Sequence, residues 1–204
     1  MKKDIKTTEA YNKIAQEYSS RNHRHFWKNE YDYFKTILAG NKVVDLGCGA
    51  GRDAEQFVND SFDYLGIDAS EEMLKIASQR VAEGQFRLMD LRDIDLPLES
   101  FDGFWASASL LHFSKQEVPD LLKSFYNLLK DNGVGFISVK EKRVMDEGYI
   151  KEDKGGGIER YFSFFHNNEM IKFLEKANFT VIKSGQCFEN DKDETEWLYF
   201  FVKK

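Results

Sequence analysis

At 204 residues and 23.8 kDa the chain has the length of a single domain and enough residues to bury a full core. A net charge of −6 and a pI near 5.4 count against a broadly basic nucleic-acid footprint, and no run reaches the ~18 apolar residues a membrane span needs. Two cysteines, Cys48 and Cys187, and an opening stretch MKKDIKTTEAY without an apolar core predict a soluble cytoplasmic protein with reduced thiols, monomer or dimer.

Residues 7–20, TTEAYNKIAQEYSS, predict a helix, because Ala10, Tyr11, Ile14, Ala15 and Tyr18 recur on one face. That face either packs on the domain or turns the hydroxyls of Tyr11 and Tyr18 into a cleft. A second helix is predicted from about Trp27 to Leu38, with Gly40 as its stop signal. Between them, His23 and His25 are too few for a metal site. Arg21 and Arg24 are available to a ligand carboxylate or to solvent.

The stretch VVDLGCGAGRD (43–53) organises the rest of the chain. Val43, Val44 and Leu46 make a short apolar run that ends in Gly47, Gly49 and Gly51, and Ala54, Phe57 and Val58 continue at helical spacing. This pattern predicts a buried parallel strand, a tight turn and a helix. Glycine in such a turn allows positive φ and lets a ligand reach the backbone. A dinucleotide site wants Gly-x-Gly-x-x-Gly, but the sixth position here is Arg52. Asp45, just ahead of the glycines, also suits a cationic ligand better than a pyrophosphate.

DYLGIDAS (63–70) repeats the strand-to-helix pattern. Ser70 is a good N-cap, Glu71 and Glu72 favour the positive helix end, and Met73, Leu74, Ala77 and Val81 face inward. Asp68 ends this strand about 20 residues past the first glycine, where an acidic side chain accepts from ribose hydroxyls. A third strand ends at Asp90 and Leu91. A fourth, over 101–106, feeds a polar turn carrying Ser107 and His112. Ser114 and Glu117 predict a capping box for a helix with Val118, Leu121, Leu122 and Phe125 inward, although Pro119 leaves its start open. A fifth strand covers 133–141. From 142 to 157 there is no period, which predicts a mobile insertion of the kind that covers a substrate. The aromatic stretch ERYFSFFH comes next. Asn167 is then expected to cap a helix, and 179–188 and 196–204 read as two strands joined by an acidic hairpin.

DLGCGAG at 45–51, the acidic strand ends Asp68 and Asp90, FDGFWASASLLH at 101–112 and Y-N-x-x-A-x-x-Y at 11–18 together resemble the class I S-adenosylmethionine (SAM) dependent methyltransferases of the small single-domain type. In the last motif Asn12 replaces the family's usual Asp. The resemblance implies an α/β fold with a doubly wound, mostly parallel seven-stranded sheet of order 3-2-1-4-5-7-6. It implies one domain over 1–204, with lid helices over 1–40, a SAM-binding half over 41–140 and a substrate side over 141–204. The cofactor residues it implies are Tyr11, Tyr18, Arg21, Asp45, Gly47, Cys48, Gly49, Gly51, Arg52, Asp68, Ala69, Met73, Asp90, Leu91, Ala106 and Ser107, with Asp90 accepting from the adenine amino group. No metal is implied.

Methyl transfer is an in-line displacement from a sulfonium, so alignment supplies most of the acceleration, and positioning can be worth ~7–11 kcal/mol. A hydroxyl or ammonium acceptor also needs a proton sink, for which His112, Glu141 and Tyr11 are the candidates. The acceptor side is expected from His112, Phe113, Tyr149, Arg160 and Tyr161. The expected function is methyl transfer to an O or N atom of a small molecule, releasing S-adenosylhomocysteine. The alternatives are a tRNA-modifying methyltransferase, a non-catalytic SAM-binding protein and a NAD-dependent oxidoreductase.

Overall fold

The computed structural model describes residues 5–21, 26–142, 145–151, 157–188 and 196–204. His23, Arg24, His25, part of the glycine-rich stretch before Gly157 and the acidic turn after Phe188 lie outside the described residues.

Two helices, α1 (Lys6–Arg21) and α2 (Lys28–Ile37), precede β1 (Lys42–Leu46). Then α3 (Ala54–Asn59), β2 (Asp63–Asp68), α4 (Glu71–Arg80), β3 (Gln85–Leu88), β4 (Phe101–Ser107), α5 (Val118–Leu128) and β5 (Leu129–Lys140) alternate along the chain. A ribbon of β6 (Glu147–Lys151) and β7 (Glu159–Ser163) comes after them, and α6 (Asn167–Lys176), β8 (Thr180–Phe188) and β9 (Glu196–Lys203) complete the chain. The main sheet has the order β3-β2-β1-β4-β5-β9-β8. Strands β1 to β5 run parallel to one another, and β9 runs antiparallel to both β5 and β8. With the separate ribbon left out of the count, this is the expected order 3-2-1-4-5-7-6.

The period of two along each strand sorts side chains to opposite faces. Val44, Phe104, Ile137 and Phe200 join a core with α5 and α6, while Val43, Trp105, Phe136 and Phe201 join a second core with α2 and α3. The many phenylalanines fill both layers. In the second, the rings of Trp105 and Phe136 stack with centroids 3.8 Å apart, and Tyr31 and Phe34 of α2 close over Phe57 and Trp105.

Three expectations need correction. The insertion over 142–157 is not structureless: Glu147–Lys151 pairs antiparallel with Glu159–Ser163, and the Tyr149 and Tyr161 rings meet across it at 5.4 Å. The first of these strands, EGYIK, carries no apolar–polar alternation for periodicity to register. The cap of α6 is His166, whose side chain and that of Glu169 form a reciprocal capping box, and Asn167 is the first helical residue. The third strand stops at Leu88, and Asp90 instead caps a short 3₁₀ turn over Leu91–Asp93.

Candidate active site

The parallel strands end together at the carboxyl edge of the sheet, where open α/β sheets bind ligands. A cleft of about 1130 Å³, open mouth included, runs along this edge from Asp90 and Leu91 to Tyr11, His112 and Phe113. Of the two N-terminal helices, α1 alone contributes to its walls, through Thr7, Thr8, Tyr11, Tyr18 and Ser19.

The glycine turn forms the floor. The N–H groups of Gly47 and Cys48 both donate to the carbonyl of Ile67, at 2.8 and 3.0 Å, so the turn is docked on the end of β2. Gly47 has φ +87° and an added Cβ would lie 2.5 Å from Ser109 Cβ, so packing as well as backbone demands glycine. Gly49 has φ +52° and its missing side chain faces open space in the cleft. Its N–H donates to Asp68 Oδ2 at 2.9 Å, and the Ser70 N–H donates to Asp68 Oδ1 at 2.8 Å. One carboxylate thus ties the turn to the start of α4 and still has lone pairs for a ligand hydroxyl.

Charge in the floor is unbalanced towards the negative. Asp45 is buried beneath the turn and accepts from the Tyr64 hydroxyl at 2.8 Å. Burial, with Asp53 and Asp68 nearby, holds its carboxyl well above the usual range. Burial also raises Asp68, although its backbone donors oppose this. A cation in the cleft relieves both. Asp53 is partly neutralised already: Arg52 Nε reaches it at 2.7 Å and Trp105 Nε1 at 3.0 Å, and Arg52 also contacts Ser107 Oγ at 3.3 Å. At the far end, Asp90 accepts from the Arg92 N–H at 2.9 Å.

The opposite end is organised by His112, on a 3₁₀ turn after β4. Its Nδ1 faces the Tyr161 carbonyl at 2.8 Å, and its Nε2 faces the Tyr11 hydroxyl at 2.8 Å. A carbonyl only accepts, so Nδ1 carries the proton and Nε2 accepts from Tyr11. Arg160, buried behind Tyr11, donates to the same hydroxyl at 3.0 Å. Burial lowers the His112 pKa to about 3, against the Tyr161 carbonyl and with help from the charges of Arg160 and Lys140. The imidazole is therefore neutral at all ordinary pH values.

Most of the expected cofactor residues meet in this cleft: Tyr11, Tyr18, Asp45, Gly47, Cys48, Gly49, Arg52, Asp68, Ala69, Met73, Asp90, Leu91 and Ser107 line it. Three do not. Arg21 is ion-paired with Glu17 on the exposed face of α1, Ala106 is wholly buried in the core, and Gly51 closes the turn through its N–H to the Cys48 carbonyl at 3.1 Å. On the acceptor side His112 and Phe113 line the cleft, but the others are displaced from it. Arg160 faces Tyr11, Tyr161 contributes its backbone, Tyr149 lies on the outer ribbon beneath the Lys6 ammonium, and Glu141 donates its N–H to the Glu196 carbonyl. Thr7, Thr8, Asp53 and Arg92 also line the cleft. No sequence signal marked the two threonines, because only the seating of α1 brings them there. Among the described residues no cluster of three or more His, Cys, Asp or Glu is placed to hold a metal, and no helix is long and apolar enough to cross a membrane.

A strand–glycine-turn–helix floor with carboxylates along successive strands and the turn after the third fits a cationic nucleoside. The methyltransferase domain family matches residues 43–133. The chain belongs to the class I SAM-dependent methyltransferases, and its cofactor is SAM. It is 33% identical over 171 residues to the Bacillus subtilis (strain 168) protein "Putative methyltransferase YqeM", covering 80% of this chain and 69% of that one. It is 26% identical over 175 residues to the ubiquinone biosynthesis O-methyltransferase of Acinetobacter baumannii, covering 79% and 73%. In fold it is similar to the Burkholderia thailandensis 1,6-didemethyltoxoflavin-N1-methyltransferase, solved with 1,6-didemethyltoxoflavin and S-adenosylhomocysteine. The TM-score there is 0.76 at 19% identity, over 97% of this chain and 87% of that one. Family membership removes the nicotinamide-dependent alternative.

Proposed function

We propose that the protein transfers the methyl group of SAM to an O or N atom of a small molecule, in the cytoplasm and as one catalytic domain. The observation that carries this reading is the run of carboxylates along three neighbouring strands, Asp45 in β1, Asp68 closing β2 and Asp90 just past β3, leading to the Tyr11–His112 pair at one end of a single cleft. Both kinds of acceptor atom occur among the proteins it is similar to, an O-methyltransferase and an N-methyltransferase by name.

The cofactor supplies an electrophilic methyl on a sulfonium, which leaves as a neutral thioether. The chain's own part is alignment. Asp68 holds the ribose diol, Asp90 and the Leu91 N–H hold the adenine, and Asp45 with the backbone of the glycine turn faces the cationic amino-acid end. Arg52, held by Asp53 and reaching Ser107 at the end of β4, is the cation offered to the carboxylate of that end. At the acceptor end, Tyr11 and His112 act together. With Nδ1 committed to Tyr161 and Nε2 to Tyr11, His112 orients the phenol as a neutral partner, which leaves the Tyr11 hydroxyl to meet the acceptor.

Calorimetric titration with SAM, S-adenosylhomocysteine and NAD tests the cofactor. Release of S-adenosylhomocysteine in the presence of fractionated small-molecule pools tests turnover. Saturable SAM binding without NAD binding, and product release stimulated by a low-mass fraction, are the expected results. Stimulation confined to a tRNA fraction would overturn the small-molecule acceptor.

A further inference from the structure

Asn12, on α1, has a side chain that is not idle. The carboxamide oxygen accepts from Ser70 Oγ at 2.7 Å and from the Glu72 N–H at 3.3 Å. Both donors belong to the start of α4. Ser70 Oγ in turn accepts from the Met73 N–H at 3.2 Å, and the Ser70 N–H donates to Asp68. A continuous chain of hydrogen bonds thus runs from the covering helix to the carboxylate of the cofactor floor. Asn12 is adjacent to Tyr11 and shares its helix with Tyr18.

Beside these bonds α1 and α4 share an apolar contact. Ala15 packs with Ala50, Met73 and Ile76, against Tyr11 and Tyr18. Such contacts are non-directional and let a helix slide or tilt. Two hydrogen bonds converging on one oxygen fix its register. At its other end α1 is tied to the outer ribbon, where Thr7 Oγ1 accepts from the Tyr161 N–H at 2.9 Å. The exposed Lys6–Glu159 pair nearby is screened by solvent.

We propose that Asn12 is a positioning residue that latches α1 over the cofactor and so sets how long SAM and S-adenosylhomocysteine stay bound. This rests on the methyltransferase reading above. A ligand beneath α1 leaves only when the Asn12 contacts to α4 break.

The test compares Asn12→Ala and Asn12→Asp by stopped-flow release of S-adenosylhomocysteine and calorimetric affinity for SAM. Alanine is the better helix former, so α1 itself is not weakened and the lost bonds lower the melting temperature by only about 2–4 °C. Loss of the two bonds is expected to speed release about five- to tenfold, with association little changed. Aspartate keeps an accepting oxygen against the positive end of α4, so Asn12→Asp is expected to release ligand within about twofold of the parent rate. Parent-like release from Asn12→Ala overturns the latch, and so does an Asn12→Asp variant that fails as alanine does. An unmodified protein that binds neither ligand overturns the methyltransferase reading itself, a separately visible result.

Discussion

Replacing Asp68 by Asn changes one atom of the floor and separates binding from folding. The carboxylate receives a backbone N–H on each oxygen, from Gly49 at 2.9 Å and from Ser70 at 2.8 Å. A carboxamide has one oxygen, so whichever way it turns, one of these donors faces an NH₂ group. Losing a hydrogen bond to a charged acceptor costs about 1.5–3 kcal/mol of stability, which for a chain of this size lowers the melting temperature by about 4–10 °C. The ribose diol loses the same kind of acceptor, and negative charge is removed from beside a cationic ligand. SAM affinity is therefore expected to fall roughly ten- to hundredfold. Calorimetry with SAM and sinefungin at pH 8, alongside a thermal melt, reads both quantities. Affinity within twofold of the parent, in a protein whose melting point has dropped, would show that Asp68 braces the turn without touching the cofactor.

The same geometry sets the outcome of other substitutions. Gly47→Ala places a Cβ 2.5 Å from Ser109 Cβ and is expected to destabilise by more than about 2 kcal/mol, while Gly49→Ala meets only open cleft and loses about 1 kcal/mol but most of its SAM affinity. Denaturant unfolding and calorimetry check the ranking, and a reversed order would contradict it. Tyr11→Phe strips a partner from both His112 and Arg160 and is expected to cost about 2 kcal/mol, seen as a melting point lower by about 4–8 °C. His112 takes up a proton near pH 6.5 when unfolded but not until about 3 when folded, so its contribution is intact above pH 6.5 and is lost as pH falls towards 3. The slope is at most ~1.4 kcal/mol per pH unit. Asp45 and Asp68 act in the opposite sense, since raised carboxyls stabilise the fold most at low pH and less as pH climbs through their folded values. The difference between parent and His112→Asn isolates the imidazole. If that difference does not change between pH 7 and 5, the buried neutral state is wrong.

The sequence alone determined the parts whose physics is local. A β-branched run into glycines, an aspartate closing the second strand and Ser70 ahead of two glutamates are contiguous patterns, and each specifies its own strand, turn or cap. The alternation of Val43 with Val44, or of Phe136 with Ile137, likewise decides which face each residue covers before any partner is known. Only the tertiary structure decided which side chains gather around His112. Tyr11, His112, Arg160 and the Tyr161 carbonyl are separated by up to 150 positions and meet because α1, the β4 turn and β7 converge. The same convergence withdrew Tyr149 and Glu141 from the cleft and admitted Thr7 and Thr8. Hydrogen bonds between distant segments leave no periodic trace in the chain that makes them, so the glycine turn and its neighbouring carboxylates were legible in advance and the meeting of Tyr11, His112 and Arg160 was not.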